Sequence, residues 1–90
     1  MIRMVLFTDP YCTPCGMIKK SLNCMKDERI SKIEIVSLYD EVEFAKKYGI
    51  KEVPTLVVIN EQGGMMDVVK GPMPIKNKIR RLLDEYYGEN

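Results

Sequence analysis

Met4-Val5-Leu6-Phe7-Thr8-Asp9-Pro10-Tyr11-Cys12-Thr13-Pro14-Cys15 is the stretch that decides the fold. An apolar run, Met4 to Phe7, ends at the turn signal Thr8-Asp9-Pro10, and two thiols follow where a helical pattern begins. A strand that gives way to a helix presents backbone N–H groups at the junction, and a sulfur placed there is favoured as its thiolate. The second thiol lies three residues on, close enough to close a small disulfide and open it again. Such a pair suits a reversible thiol–disulfide centre.

The residues around this centre predict where it sits. From about 13 to 28 the pattern is helical, with Cys15, Ile18, Leu22 and Met25 on one face and Lys19, Lys20, Asn23, Lys26 and Asp27 on the other. Ile33 to Leu38 reads as a second strand. Asp40 is the expected cap of a short helix over 41–48, in which Val42, Phe44, Ala45 and Tyr48 pack and Gly49 ends the run. Pro54 precedes a strong strand, Thr55 to Ile59; Glu61-Gln62-Gly63-Gly64 turns the chain, and 65–70 returns as a hairpin partner. Gly71-Pro72-Met73-Pro74 reads as a break, after which Ile75, Ile79, Leu82, Leu83 and Tyr86 mark a final helix that Tyr86 and Tyr87 help to pack. The order βαβαββα belongs to the α/β class. It predicts a right-handed parallel crossover, then a hairpin that completes a four-stranded mixed sheet flanked by helices. The dithiol then falls at the carboxyl end of the first strand, where open α/β sheets place their sites.

Ninety residues predict a single domain over 1–90, and 46% apolar with 30% charged residues suffices for a packed core. Fourteen basic residues against thirteen acidic ones argue against broad binding to nucleic acid or anionic membrane. No apolar run approaches the roughly 18 residues that span a bilayer, and the first residues carry too short an apolar stretch for a signal peptide. A monomer in the cytoplasm is expected. Three cysteines are too few and too unevenly spaced for a disulfide-stapled secreted domain. Zinc wants four ligands, and this chain has one further cysteine, no histidine and no second C-x-x-C, so neither a metal nor a cofactor is expected. Cys24, nearly opposite Cys15 around the first helix, reads as a small packing residue. The seven methionines read as core filler, Met73 set apart.

At this point the chain resembles a small member of the thioredoxin superfamily. Leu6 to Cys15 resembles the strand and active-site turn of thioredoxins and glutaredoxins. Tyr48-Gly49-Ile50-Lys51-Glu52-Val53-Pro54-Thr55-Leu56 is similar to the thioredoxin segment that carries a cis-proline, and Gly71 matches the glycine that lines the substrate groove. Pro14 and Val53-Pro54-Thr55 look like thioredoxin; the length looks like glutaredoxin. Two positions depart from the pattern. Leu6 stands where thioredoxins carry a buried aspartate that helps deprotonate the second cysteine. Asp9 stands where glutaredoxins carry a basic residue that assists glutathione. The Gly63-Gly64…Asp67 run is similar to a glutathione-binding loop but reads better as the hairpin turn.

The resemblance implies a protein-disulfide reductase. Cys12 attacks a client disulfide, and Cys15 closes onto Cys12 to release the reduced client, the pair ending as a redox-active disulfide. Thr13 and Pro14 stiffen the turn and help set the potential. Tyr11, Thr13, Pro14, Val53, Pro54, Gly71, Pro72 and Met73 are the implied groove, with Val53-Pro54 expected to be cis. Asp9, negative and near Cys12, is the candidate modulator of ionisation. The base for Cys15 is left open between Asp9, another nearby carboxylate and water. Disulfide-bearing clients are the expected partners, fed by a thioredoxin reductase or, in the runner-up reading of a glutaredoxin-like enzyme, by glutathione. A reading of another class is a non-catalytic binding module or an iron–sulfur-bridged homodimer, the latter disfavoured by Pro14.

Overall fold

The computed structural model describes residues 1–88, so the last two residues of the expected 1–90 domain lie outside the described residues. Its elements are β1 (Arg3–Thr8), α1 (Thr13–Cys24), β2 (Ile33–Ser37), α2 (Val42–Lys47), β3 (Thr55–Ile59), β4 (Met65–Lys70) and α3 (Pro72–Tyr87), with a 3-10 turn at Glu28–Lys32. The four strands form one sheet in the order β2-β1-β3-β4. β1 runs parallel to β2 and antiparallel to β3, and β4 is antiparallel to β3. This is the mixed sheet that the sequence predicts.

β1 and β3 are central, and both of their faces are covered. That is why each reads as an unbroken apolar run rather than an alternating one. Met4, Leu6, Leu56 and Val58 point to one face, where Ile18 and Leu22 of α1 meet Ile75, Ile79, Leu82 and Leu83 of α3. Val5, Phe7, Val57 and Ile59 point to the other, under Phe44 and Ala45 of α2 and Tyr48 just after it. Each large side chain buried in this way contributes about 1.5–3 kcal/mol. Phe7, Phe44 and Tyr48 continue as edge-to-face pairs with centroids 5.3 and 5.4 Å apart. Tyr87 fastens the end of α3 to the start of the sheet by donating from its hydroxyl to the Ile2 carbonyl at 2.8 Å.

Several local expectations need correction. α1 stops at Cys24 rather than near 28 because Asp27 competes for the backbone: its carboxylate accepts the Arg29 N–H at 3.0 Å and starts the 3-10 turn. Asp40 does not cap α2; Glu41 holds the N-cap position without a side-chain hydrogen bond. Val42 is largely exposed at the first residue of that helix. Pro72 and Pro74 do not break the chain but lie in the first turn of α3. There the backbone N–H groups have no partner within the helix, so a proline loses none. Met4 is core and Met25 packs against it, whereas Met1, Met17, Met65, Met66 and Met73 are exposed. Met65 and Met66 lie on edge strand β4, beyond the reach of the short α2, which packs over β1 and β3. Cys24 is exposed too, on the side of α1 turned from the sheet, so it is not a packing residue.

Candidate active site

The dithiol lies at the carboxyl end of β1, where the chain turns into α1. Asp9 builds that turn. Its Oδ1 accepts the Tyr11 N–H at 2.8 Å, and its carbonyl accepts the Cys12 N–H at 3.0 Å. An Asp-Pro pair after a strand carries this signal, since an aspartate readily bonds its own backbone two residues on. The carboxylate is therefore engaged with the turn. Cys12 is the N-cap of α1: its Sγ accepts the Cys15 N–H at 3.1 Å, and Pro14 occupies the first turn without wasting a donor.

The two sulfurs differ in setting. Cys12 is half-buried and reachable, and its thiol donates to the Val53 carbonyl at 3.8 Å. Cys15 is 1% exposed and heads the buried stripe Cys15–Ile18–Leu22 that α1 lays on the sheet. Burial pushes the Cys15 thiol up to about 11, and its hydrogen bond to Cys12 adds to the rise; a backbone hydrogen bond at Asp9 opposes it. Both thiols are free.

A second loop faces the dithiol. The Val53-Pro54 bond is cis, as the resemblance implied, and Pro54 is buried. The Thr55 hydroxyl, itself buried, donates to the Glu52 carbonyl at 2.7 Å and braces the loop, a role that the Val53-Pro54-Thr55 resemblance does not assign to it. Gly71 joins this loop to α3 by donating its N–H to the Pro54 carbonyl at 2.9 Å. Its φ of +93° with ψ of 154° is a conformation that glycine alone adopts freely. Hydrogen bonds thus link Cys12, Val53-Pro54 and Gly71, and Pro72 follows at the start of α3. Tyr11 and Met73, 87% and 57% exposed, stand as apolar side chains with little covering them. Thr13 is also exposed. A concavity of about 530 Å³ lined by Arg3, Phe44, Lys47 and Tyr48 lies toward the other end of β1 and has no part in this arrangement.

Residues 3–87 match the family model of a thioredoxin-like domain. The chain belongs to that family. It is 32% identical over 85 residues to a thioredoxin of Porphyra purpurea, covering 92% of this chain and 78% of the relative. With a thioredoxin of Chlorobaculum thiosulfatiphilum it shares 31% over 87 residues, 94% of this chain and 79% of the relative. The fold superposes on a mutant thioredoxin of Halobacterium salinarum with a TM-score of 0.77 at 21% identity, over 94% of this chain and 74% of that one. On Fasciola hepatica thioredoxin the score is 0.73 at 24% identity, over 94% and 80%. A thioredoxin-like domain with two free thiols at this turn is a thiol–disulfide oxidoreductase, and proteins that bear disulfides are its partners. Among the described residues no helix is long and apolar enough to cross a membrane.

Proposed function

We propose that residues 1–90 act as one thioredoxin-like domain that reduces client disulfides, with Cys12 as nucleophile and Cys15 as the resolving thiol. The observation that carries the reading is the difference between the two sulfurs. One is reachable at a helix N-cap; the other is buried and holds its proton. Cys12 sulfur bonds to one client sulfur, and the second client sulfur leaves. Cys15 sulfur then bonds to Cys12 sulfur, and the first client sulfur leaves. Two electrons pass from dithiol to client, and no cofactor is needed. Holding both thiols on one turn makes the second attack intramolecular.

The loop at Val53-Pro54 and the start of α3 form the docking surface, with Tyr11, Thr13, Pro14, Gly71, Pro72 and Met73 around the sulfurs. An extended client segment pairs there with the Val53 backbone. A thioredoxin reductase re-reduces the pair, in a reducing compartment such as the cytosol, and the domain works as a monomer. Similarity to named thioredoxins supports this donor, as does Asp9 in the place of a glutathione-assisting base. Insulin reduction driven by a thioredoxin reductase is the test. Turnover is expected with that donor, little with glutathione, and none in Cys12→Ser. Wild-type turnover in Cys12→Ser removes the assignment of the nucleophile, and turnover with glutathione alone removes that of the donor.

A further inference from the structure

The net charge of +1 hides an uneven spread of charge along the chain. Residues 10–26 and 68–83 hold eight of the fourteen basic residues and none of the thirteen acidic ones. They include α1 and most of α3, which pack side by side over one face of the sheet. Between the two helices the surface sinks into adjoining concavities of about 470 and 410 Å³, which share Ser21, Met25 and Lys76 as lining. Each wall repeats at one helical turn: Lys20 with Cys24 on α1, and Lys76 with Arg80 on α3. Ser21 and Met25 are half-buried, whereas these four rim residues are exposed. The rim cations are free. Among the described residues the ion pairs are Met1–Glu61, Arg3–Glu34 and Arg29 with Asp27 and Asp84, and none takes Lys20, Lys76 or Arg80. Asp27 feels the charge of Arg80, but its carboxylate is already held by Arg29.

We propose that this hollow is a second docking surface, taking an acidic segment of a partner protein whose aliphatic side chain sits on Met25 while its carboxylates meet Lys20, Lys76 and Arg80. The rim selects for anions, and no carboxylate lines the hollow to oppose them. The floor selects against a phosphate backbone. Met25 and the methylene stems of the two lysines are apolar, and no aromatic ring lines the hollow on which a base could stack. Two concavities in a row take more than one side chain, which a protein segment supplies and a small anion does not. The hollow begins at Lys20, about 12 Å along α1 from Cys12, so its occupant does not need to cover the dithiol. The surface therefore holds a partner without using a thiol, and it does not depend on the roles assigned to Cys12 and Cys15.

The test uses a fluorescein-labelled, cysteine-free peptide in which two leucines one helical turn apart stand among glutamates, titrated with the reduced protein by anisotropy. Saturable binding is expected, weakening as salt rises from about 50 to 300 mM. Lys20→Glu/Lys76→Glu is expected to lose at least about tenfold in affinity, and Lys20→Gln/Lys76→Gln at least about threefold. Lys78→Glu/Arg81→Glu makes the same change of charge outside the hollow and is expected to stay within about twofold of wild type. Serine in place of both leucines is expected to weaken binding at least about fivefold. In Cys12→Ser, saturating peptide is expected to slow alkylation of Cys24 by iodoacetamide at least about threefold, which places the peptide in the hollow. Circular dichroism checks the fold of each variant, and the glutamine pair keeps the test decisive where a charge reversal unfolds the chain. Equal losses in the two charge-reversed variants, no effect of serine, or an unchanged alkylation rate overturns the proposal. So does tighter binding of a single-stranded DNA of about 20 nucleotides. A dimer at low salt in analytical ultracentrifugation, abolished by Lys20→Glu/Lys76→Glu, overturns it in favour of a second copy of the chain.

Discussion

The thiol of Cys12 donates to the carbonyl oxygen of Val53, 3.8 Å away and 41 residues along the chain. A thiol is a weak donor, so this contact positions more than it stabilises. It sets the reachable sulfur against the loop that the client is proposed to pair with, while Cys15 stays under the helix. Removing each thiol in turn is therefore expected to stop the reaction at different points. In a Cys24→Ser background, which takes away the exposed third thiol, Cys15→Ser retains the first attack and accumulates a covalent adduct with a disulfide peptide. Its turnover falls at least about 10²-fold because the intramolecular closing step is lost. Cys12→Ser forms no adduct. Intact-mass measurement separates the two, and an adduct in Cys12→Ser reverses the roles.

Cys15 also ties stability to pH. Burial raises its thiol from 9.0 to about 11 in the folded protein. Between those values the unfolded chain has released this proton and the folded chain has kept it. The unfolded state then binds fewer protons, so stability falls as pH rises. The contribution is complete below about 9 and is lost as pH approaches 11. Denaturation under reducing conditions across that range is expected to show a steeper decline for wild type than for Cys15→Ala. Parallel curves for the two proteins remove Cys15 as the source.

At the acid end the corresponding group is Asp27. Hydrogen bonds from the Arg29 side chain, at 2.9 and 2.7 Å, hold its carboxyl down to about 2 from 3.8. A depressed carboxyl stabilises the fold above its unfolded value and stops doing so as pH falls through its folded value. Asp27→Asn is expected to flatten the loss of stability between 3.8 and about 2. The same substitution leaves insulin reduction unchanged, since Asp27 starts the 3-10 turn after α1 and not the dithiol turn.

The elements that were legible in the residues are those whose burial leaves no choice. β1 and β3 are covered on both faces and must be apolar throughout, and Gly63 at φ +86° turns the hairpin. The dithiol was legible because its chemistry and its place after a strand coincide. What misled was polarity without geometry. Met65, Met66 and Met17 are as apolar as Met4, but only the packing of α2 and α3 decides which of them is covered. Pro72 and Pro74 looked like breakers because a proline pattern does not say whether the first turn or the interior of a helix is meant. Asp27 ended α1 through local hydrogen bonds that compete with helix continuation, and a helical stripe running on to Met25 hid them. The bracing role of Thr55, named in the sequence only as part of Val53-Pro54-Thr55, was hidden for a related reason: a threonine beginning a strand looks like strand propensity, and its bond to Glu52 appears only once the loop is folded.

Gly71 is expected to be the costliest glycine to replace near the site. A Cβ there would meet the Pro74 ring at 3.5 Å, an ordinary contact, so space is not the obstacle. The obstacle is the backbone, since φ +93° with ψ 154° lies where residues with a Cβ are strained by about 1–3 kcal/mol. Gly71→Ala is expected to lose that amount in chemical denaturation. A loss below about 0.5 kcal/mol would mean that the chain relaxes out of this conformation without difficulty.

Thr55 offers a way to disturb the facing loop without touching a sulfur. Its hydroxyl donates to the Glu52 carbonyl at 2.7 Å, one residue before Val53. Thr55→Val keeps the shape and removes the donor, which costs about 0.5–1.5 kcal/mol for a bond of this kind. If the bond holds Val53 in place for an incoming segment, the same free energy appears as a KM for disulfide peptides raised roughly 2- to 10-fold, with kcat little changed. Thr55→Ser restores the hydroxyl and is expected to recover the wild-type KM. A variant that loses stability but keeps its KM would make the bond a brace for the fold alone, because a loop that still presents Val53 correctly does not depend on it.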